Sequence, residues 1–165
     1  MRPLDVAVVG TGTAGSATAL FLARAGHQVT LYERVSDPQP LGAGIMLQPT
    51  GMAVLRALGL EEQVVSRGER LDALVAETPK GRRVLDLSYG DLKPGLFGVG
   101  LHRGVLFDAL FQAARAQPGI TLRLGVDVED LAWARDGHFL VEAKTQATFG
   151  PHQLVVVANG ARSSL

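Results

Sequence analysis

The chain has 165 residues, enough for one well-filled core but short for a complete enzyme that handles a dinucleotide and a second substrate. Acidic and basic residues balance at 16 each, which gives no support to a nucleic-acid partner. There is no cysteine, so disulfides, thiolate nucleophiles and cysteine metal ligands are excluded together, in keeping with a cytoplasmic location. No apolar run approaches the roughly 18 residues of a membrane span, and the opening MRPLDVAVVG lacks the core of a secretion signal.

Leu4 to Val9 is apolar apart from Asp5, which predicts a central parallel strand covered on both faces. It runs into Gly10, Gly12 and Gly15, a G-x-G-x-x-G triplet. Gly10 permits the tight turn, Gly12 leaves room for a pyrophosphate to approach the backbone, and Gly15 lets the next helix pack closely. That helix, predicted from about Thr13 to Ala25, is expected to turn Ala17, Leu20, Phe21 and Ala25 to the sheet and to end at Gly26. Its first N–H groups and its dipole favour phosphates. A second strand, Gln28 to Tyr32, delivers Glu33 eighteen residues after Gly15, where a carboxylate accepts hydrogen bonds from a ribose. An acid there favours an unphosphorylated adenosine ribose, of FAD or of NAD, over a 2′-phosphate.

The segment 35–51 loses periodicity and is rich in proline and glycine, which predicts a loop. Gly42 and Gly44 either let backbone approach a flat ligand or supply positive φ angles, and Met46 and Leu47 read as core fillers. Helices are expected over 51–58 and 60–66, broken by Gly59. Two strands, 71–76 and 83–87, flank Pro79-Lys80-Gly81 and predict an antiparallel excursion, so that 70–100 reads as the start of an inserted β-rich subdomain. Tyr89 and Phe97 read as packing aromatics. His102 to Ala116 predicts a helix with Val105, Leu106, Ala109, Leu110 and Ala113 buried, ended by Pro118-Gly119. Arg103 stands at the positive end of that helix dipole, which makes an anionic partner attractive.

A strand over 120–124, a short segment 126–131 and a hairpin about Asp136-Gly137 follow, with a further strand at 147–149. Residues 131–150 thus form a small meander. Finally QLVVVA, Gln153 to Ala158, predicts a buried strand that runs into Asn159-Gly160-Ala161-Arg162-Ser163-Ser164. An open edge on that strand predicts self-association.

GTGTAG, Glu33-Arg34, GAGIMLQPTG, LHRGVLFDAL and VVVANGARSS stand in this order, and the chain resembles the class A FAD-dependent monooxygenases, the aromatic hydroxylases of the para-hydroxybenzoate hydroxylase type. The resemblance implies an α/β fold, a Rossmann-like FAD-binding domain of the glutathione-reductase type with antiparallel β insertions, truncated before the second half of the fold. It implies FAD as cofactor, NAD(P)H as co-substrate and hydroxylation of a small organic, aromatic substrate through C4a-hydroperoxyflavin, with no catalytic side chain and no metal in this stretch. By likeness, Gly10, Gly12, Thr13, Ala14, Gly15, Glu33 and Arg34 surround the pyrophosphate and adenosine ribose. Gly42, Gly44 and Ile45 pass near the flavin end, Arg103 contacts the pyrophosphate or ribityl region, and Val128 lies against adenine. Asn159 and Gly160 match a second nucleotide motif, with Asn159 where the family has aspartate, a neutral amide in place of a charged acceptor. The alternatives are another flavoprotein oxidoreductase, such as a halogenase or a geranylgeranyl-type reductase relative, and a non-catalytic nucleotide-binding module. The 165 residues alone are expected to be inactive.

Overall fold

A computed structural model describes residues 2–161, 163 and 165. The chain forms two compact units, one made of the residues up to Gln39 with Leu110–Leu165, the other of Pro40–Ala109. The first opens with β1 (Asp5–Val9), α1 (Thr13–Arg24) and β2 (Gln28–Glu33). The second holds β3 (Gly44–Leu47), α2 (Pro49–Ala57), α3 (Glu61–Val65), β4 (Glu69–Leu71), β5 (Ala73–Glu77), β6 (Arg83–Ser88), α4 (Tyr89–Leu92) and β7 (Gly98–His102). Next comes α5 (Arg103–Ala116), whose residues fall in both units. The first unit closes with β8 (Ile120–Leu124), β9 (Val128–Ala134), β10 (Gly137–Glu142), β11 (Thr148–His152) and β12 (Leu154–Val157).

The first unit is built on a parallel sheet of order β12-β1-β2-β8. β1 pairs with β12 through Val6↔Leu154 and with β2 through Val6↔Val29, and β2 pairs with β8 through Leu31↔Leu122. The unbroken apolar run of β1 follows from this position, because Val6, Ala7 and Val8 are fully buried between covered faces. α1 lies against β1, β2 and β8. The antiparallel sheet β11-β10-β9 covers the face on which Ala7, Val9 and Tyr32 form one cluster with Val128 and Leu140. The α/β fold with a parallel core and antiparallel insertions is therefore the observed architecture.

A polar chain, buried at Tyr32 and His152 and ending on exposed Asp5, joins these layers. The Tyr32 hydroxyl is 3.0 Å from Nε2 of His152, and His152 Nδ1 is hydrogen-bonded to the Asp5 carboxylate. Burial raises the Tyr32 hydroxyl above its ordinary pKa, Arg123 opposes that rise, and Asp5 adds to it. Phe149 packs on the same tyrosine, with ring centroids 5.6 Å apart.

The second unit contains the antiparallel sheet β3-β7-β4 and the separate hairpin β5-β6. Met52, Leu55, Leu58, Val64, Tyr89 and Val99 are among its buried residues. Each fully buried side chain of this size is worth about 1.5–3 kcal/mol. The Arg56–Glu61 pair at 2.6 Å that bridges α2 and α3 is exposed on its arginine side and screened by solvent, so packing dominates here.

Several expectations change. The stretch 35–51 is not all loop, since β3 pairs with β7 from Gly44↔His102 to Leu47↔Val99 and α2 opens at Pro49. Pairing with a distant strand leaves no local period, and proline suits a first helical turn. On α1 the buried side is Gly15, Ser16, Ala19 and Leu20, whereas Phe21 is 41% exposed and Ala25 is exposed. The close approach of Gly15 sets that phase. On α5, Phe111 and Ala114 are buried, while Val105 and Ala113 are half-buried. His102 ends β7 and does not begin the helix. Met46 is exposed, and only Leu47 is a core filler. The short segment 126–131 belongs largely to β9, which extends to Ala134. Tyr89 packs as expected, its hydroxyl donating to Gln48 Oε1 at 2.6 Å.

Glu142, buried at the end of β10, accepts the Thr145 hydroxyl at 2.6 Å and the Thr145 N–H at 2.7 Å. These bonds hold its carboxyl below the ordinary glutamate value against the opposing effect of burial. A depressed folded-state pKa stabilises the fold above the unfolded value of about 4.3, and the contribution fades as pH falls through the lower folded value. Glu142→Gln is expected to lower the urea midpoint at about pH 7, with the gap to the parent narrowing as pH falls below the unfolded value of about 4.3. A gap that widens on acidification contradicts this.

Candidate functional site

The turn after β1 is built from backbone contacts that only glycine permits. Gly10 has φ 101°, and its N–H donates to Tyr32 O at 2.7 Å. A Cβ on Gly10 would stand 2.6 Å from Ala158 O, and a Cβ on Gly15 would stand 1.8 Å from Gly10 O. The start of α1 is thereby drawn against both the turn and the end of β12. At Gly12 the situation is reversed, because a Cβ there meets no described residue within 4 Å. Gly12 faces open space at the N-terminus of α1.

α1 has no side-chain cap and no acid in its first turn. The N–H groups there retain hydrogen-bonding capacity for an anion, with the positive end of the dipole behind them. Thr13 and Ala14 are exposed on this turn, and Gly15 is buried beneath it.

At the end of β2, the Glu33 carboxylate is held by three donors. Thr11 N–H and the Thr11 hydroxyl both donate to Oε2, at 3.0 and 2.7 Å, and Val35 N–H donates to Oε1 at 3.0 Å. Thr11 O accepts the hydroxyl of buried Ser16 at 2.8 Å. A cleft of about 270 Å³ opens between these parts. Gly10 and Gly12 line it from the turn, and Glu33 and Arg34 from the end of β2. Val128 lies across it, and Asn159 and Gly160 follow β12. Small-molecule sites commonly enclose about 300–1,000 Å³, so this cleft suits a portion of a dinucleotide.

The first unit therefore gathers Gly10, Gly12, Glu33, Arg34, Val128, Asn159 and Gly160 on one cleft, with Thr13, Ala14 and Gly15 on the adjoining helix turn. Asn159 Oδ1 is buried without a hydrogen-bond partner among the described residues. A group held there is offered an acceptor and meets no negative charge from this side chain. Arg162 and Ser164 of the same motif lie outside the described residues.

Gly42, Gly44, Ile45 and Arg103 belong to the second unit. Gly44 and Ile45 pair with His102 and Leu101 in the sheet. Arg103 Nε donates to Leu41 O at 3.3 Å, and a Cβ on Gly42 would stand 2.5 Å from that nitrogen. Gly42, with φ 139°, thus makes room for the guanidinium.

Sequence reasoning missed Thr11, Ser16, Tyr32, Val35, Val126, Asp127 and Ala158 around the cleft. The hydroxyls of Thr11 and Ser16, interleaved with the glycines and followed by an acid after β2, were the available signal. Among the described residues, no group of three or more His, Cys, Asp or Glu is placed to hold a metal. No described helix is long and apolar enough to cross a membrane.

Residues 3–164 match the family described as FAD binding domain. The chain belongs to that family, the FAD-binding domain of the class A FAD-dependent monooxygenases. It is 30% identical to the aurachin C monooxygenase/isomerase of Stigmatella aurantiaca, over 98% of this chain and 42% of that protein. It is 32% identical to the 3-amino-4-hydroxybenzoate 2-monooxygenase of Streptomyces cremeus, over 98% of this chain and 41% of the relative. Among solved structures, 2-methyl-3-hydroxypyridine-5-carboxylic acid oxygenase superimposes with a TM-score of 0.81 at 26% identity, covering 99% of this chain and 41% of that one. The chain spans between 22% and 42% of the length of such curated relatives.

The glycine contacts separate a folding role from a binding role. Gly15→Ala forces a Cβ into backbone oxygen and is expected to cost about 3–5 kcal/mol, whereas Gly12→Ala is expected to stay within about 0.5 kcal/mol of the parent. Chemical denaturation of the two variants checks this, and equal losses contradict it.

Proposed function

We propose that the cleft holds the adenosine diphosphate part of FAD in a flavin-dependent, NAD(P)H-using monooxygenase. One observation carries the reading: the uncapped first turn of α1, open over Gly12, shares a cleft with an anchored carboxylate at Glu33. The diphosphate is assigned to the N–H groups from Gly12 to Gly15, where a side chain at Gly12 would intrude. Glu33 accepts from the adenosine ribose, with Arg34 beside it. Val128 offers an apolar surface to adenine, and Asn159 and Gly160 close the far side as neutral groups beside an anion. For Gly42, Gly44, Ile45 and Arg103, flavin-side roles rest on the family resemblance alone.

Bound FAD supplies the redox chemistry, taking electrons from NAD(P)H and activating dioxygen for insertion of one oxygen atom into a small organic substrate. The protein groups named here bind, orient and neutralise charge, and none of them is assigned a proton transfer. An aromatic substrate is supported by relatives named for hydroxylated aromatic acids. In this reading 70–100 begins a substrate-side subdomain and 131–150 is a supporting meander.

Calorimetric titration with FAD, ADP and FMN tests the assignment. FAD and ADP are expected to bind and FMN to bind at least tenfold more weakly, a difference of about 1.4 kcal/mol. Gly12→Ala is expected to abolish both interactions while its melting curve is preserved. Binding of FMN as tight as that of ADP, or an undiminished Gly12→Ala, contradicts the reading.

A further inference from the structure

Thr11 stands between the first two glycines, where family patterns leave the residue type open, and it is only 1% exposed. Its N–H and its hydroxyl meet the same carboxylate oxygen, Oε2 of Glu33, at 3.0 and 2.7 Å. Its own carbonyl is fixed by the hydroxyl of Ser16 at 2.8 Å, and Ser16 is fully buried. Val35 N–H reaches the other oxygen, Oε1, at 3.0 Å. A glutamate at a strand end has three side-chain torsions through which it can swing into solvent. Donors on two sides of the carboxylate restrict that swing.

Two of the three donors are backbone N–H groups, which almost any residue supplies. The hydroxyl alone depends on the identity of residue 11. An ionised carboxylate offers about two acceptor positions per oxygen. Oε2 already receives two donors and Oε1 receives one, so spare capacity lies on Oε1, and Glu33 lines the cleft.

We propose that Thr11 is a positioning residue for the nucleotide site: its hydroxyl fixes the Glu33 carboxylate so that Oε1 meets a ligand ribose hydroxyl. This rests on the assignment of Glu33 to the ribose. Without the hydroxyl, Oε2 loses a charge-assisted bond, and the carboxylate, which is only partly buried, turns toward solvent. Thr11 thereby controls discrimination between a ribose and a sugar without hydroxyls, and leaves phosphate and base contacts alone.

The test compares dissociation constants for ADP and for 2′,3′-dideoxy-ADP in the parent chain, Thr11→Val, Thr11→Ser and Glu33→Gln. Thr11→Val is expected to weaken ADP on the order of tenfold, the scale of one charge-assisted hydrogen bond, and to change dideoxy-ADP by less than about twofold. Thr11→Ser, which keeps the hydroxyl, restores the preference for ADP. Should the valine variant not fold, Thr11→Ala reads the same ratio. Equal weakening of both ligands by Thr11→Val marks a structural role only and overturns the proposal, as does an unchanged ADP preference in Thr11→Val when Glu33→Gln loses it. If Glu33→Gln keeps the full preference for ADP, the ribose assignment itself is wrong and the role of Thr11 falls with it.

Discussion

The site depends on one backbone contact, the seating of Gly15 against the carbonyl of Gly10. A Cβ at residue 15 would be 1.8 Å from that oxygen, a distance no side chain relieves by changing rotamer. The contact draws α1 down on the turn after β1 and fixes the helix phase. Its consequence is that Ser16, Ala19 and Leu20 are buried and that the helix starts beside the cleft, which Gly12 lines. The same turn is pinned from its other flank, since Gly10 N–H donates to Tyr32 O at 2.7 Å and Ala158 N–H donates to Val9 O at 2.8 Å. Strand, helix start and both neighbouring strand ends are therefore held in register at the open first turn of α1.

Behind the cleft, the antiparallel sheet supplies rigidity. Val128 and Leu140 close the apolar cluster over Ala7, Val9 and Tyr32, and the Tyr32–His152–Asp5 chain joins β2, β11 and β1. A buried tyrosine hydroxyl without a partner would cost about 1–3 kcal/mol, so His152 is part of what permits Tyr32 to sit beneath the cleft. The meander needs no chemistry of its own to matter, because Val128 belongs both to this cluster and to the cleft wall.

What was legible in the sequence was what is written locally. The apolar run of β1, the glycine triplet, β2 ending on Glu33 and the Asp136-Gly137 hairpin all depend on residues within a few positions of one another. β3 escaped notice because its partner β7 lies more than fifty residues away and its four residues carry no period of their own. Hydrophobicity alone would turn Phe21 to the sheet, whereas close backbone contact turns Gly15 there and leaves Phe21 41% exposed. Thr11 and Ser16 went unread for a similar reason. Polar residues in a glycine turn suggest solvent, yet here both are buried and hydrogen-bonded. Asn159, in contrast, is legible as a departure from the family pattern, and its acceptor oxygen is buried and unpartnered among the described residues.

Family membership and fold agree with the cleft, and they leave one claim for direct measurement: that this cleft receives the adenosine diphosphate end of FAD. Amide chemical-shift mapping by NMR during titration with ADP addresses it most directly. The account predicts the largest shifts at Gly10, Gly12, Thr13 and Gly15, at Glu33 and Val35, and at Val128 and Asn159, with β5 and β6 unmoved. Saturable shifts confined to other residues, with the amides of 10–15 and Glu33 undisturbed, would contradict it.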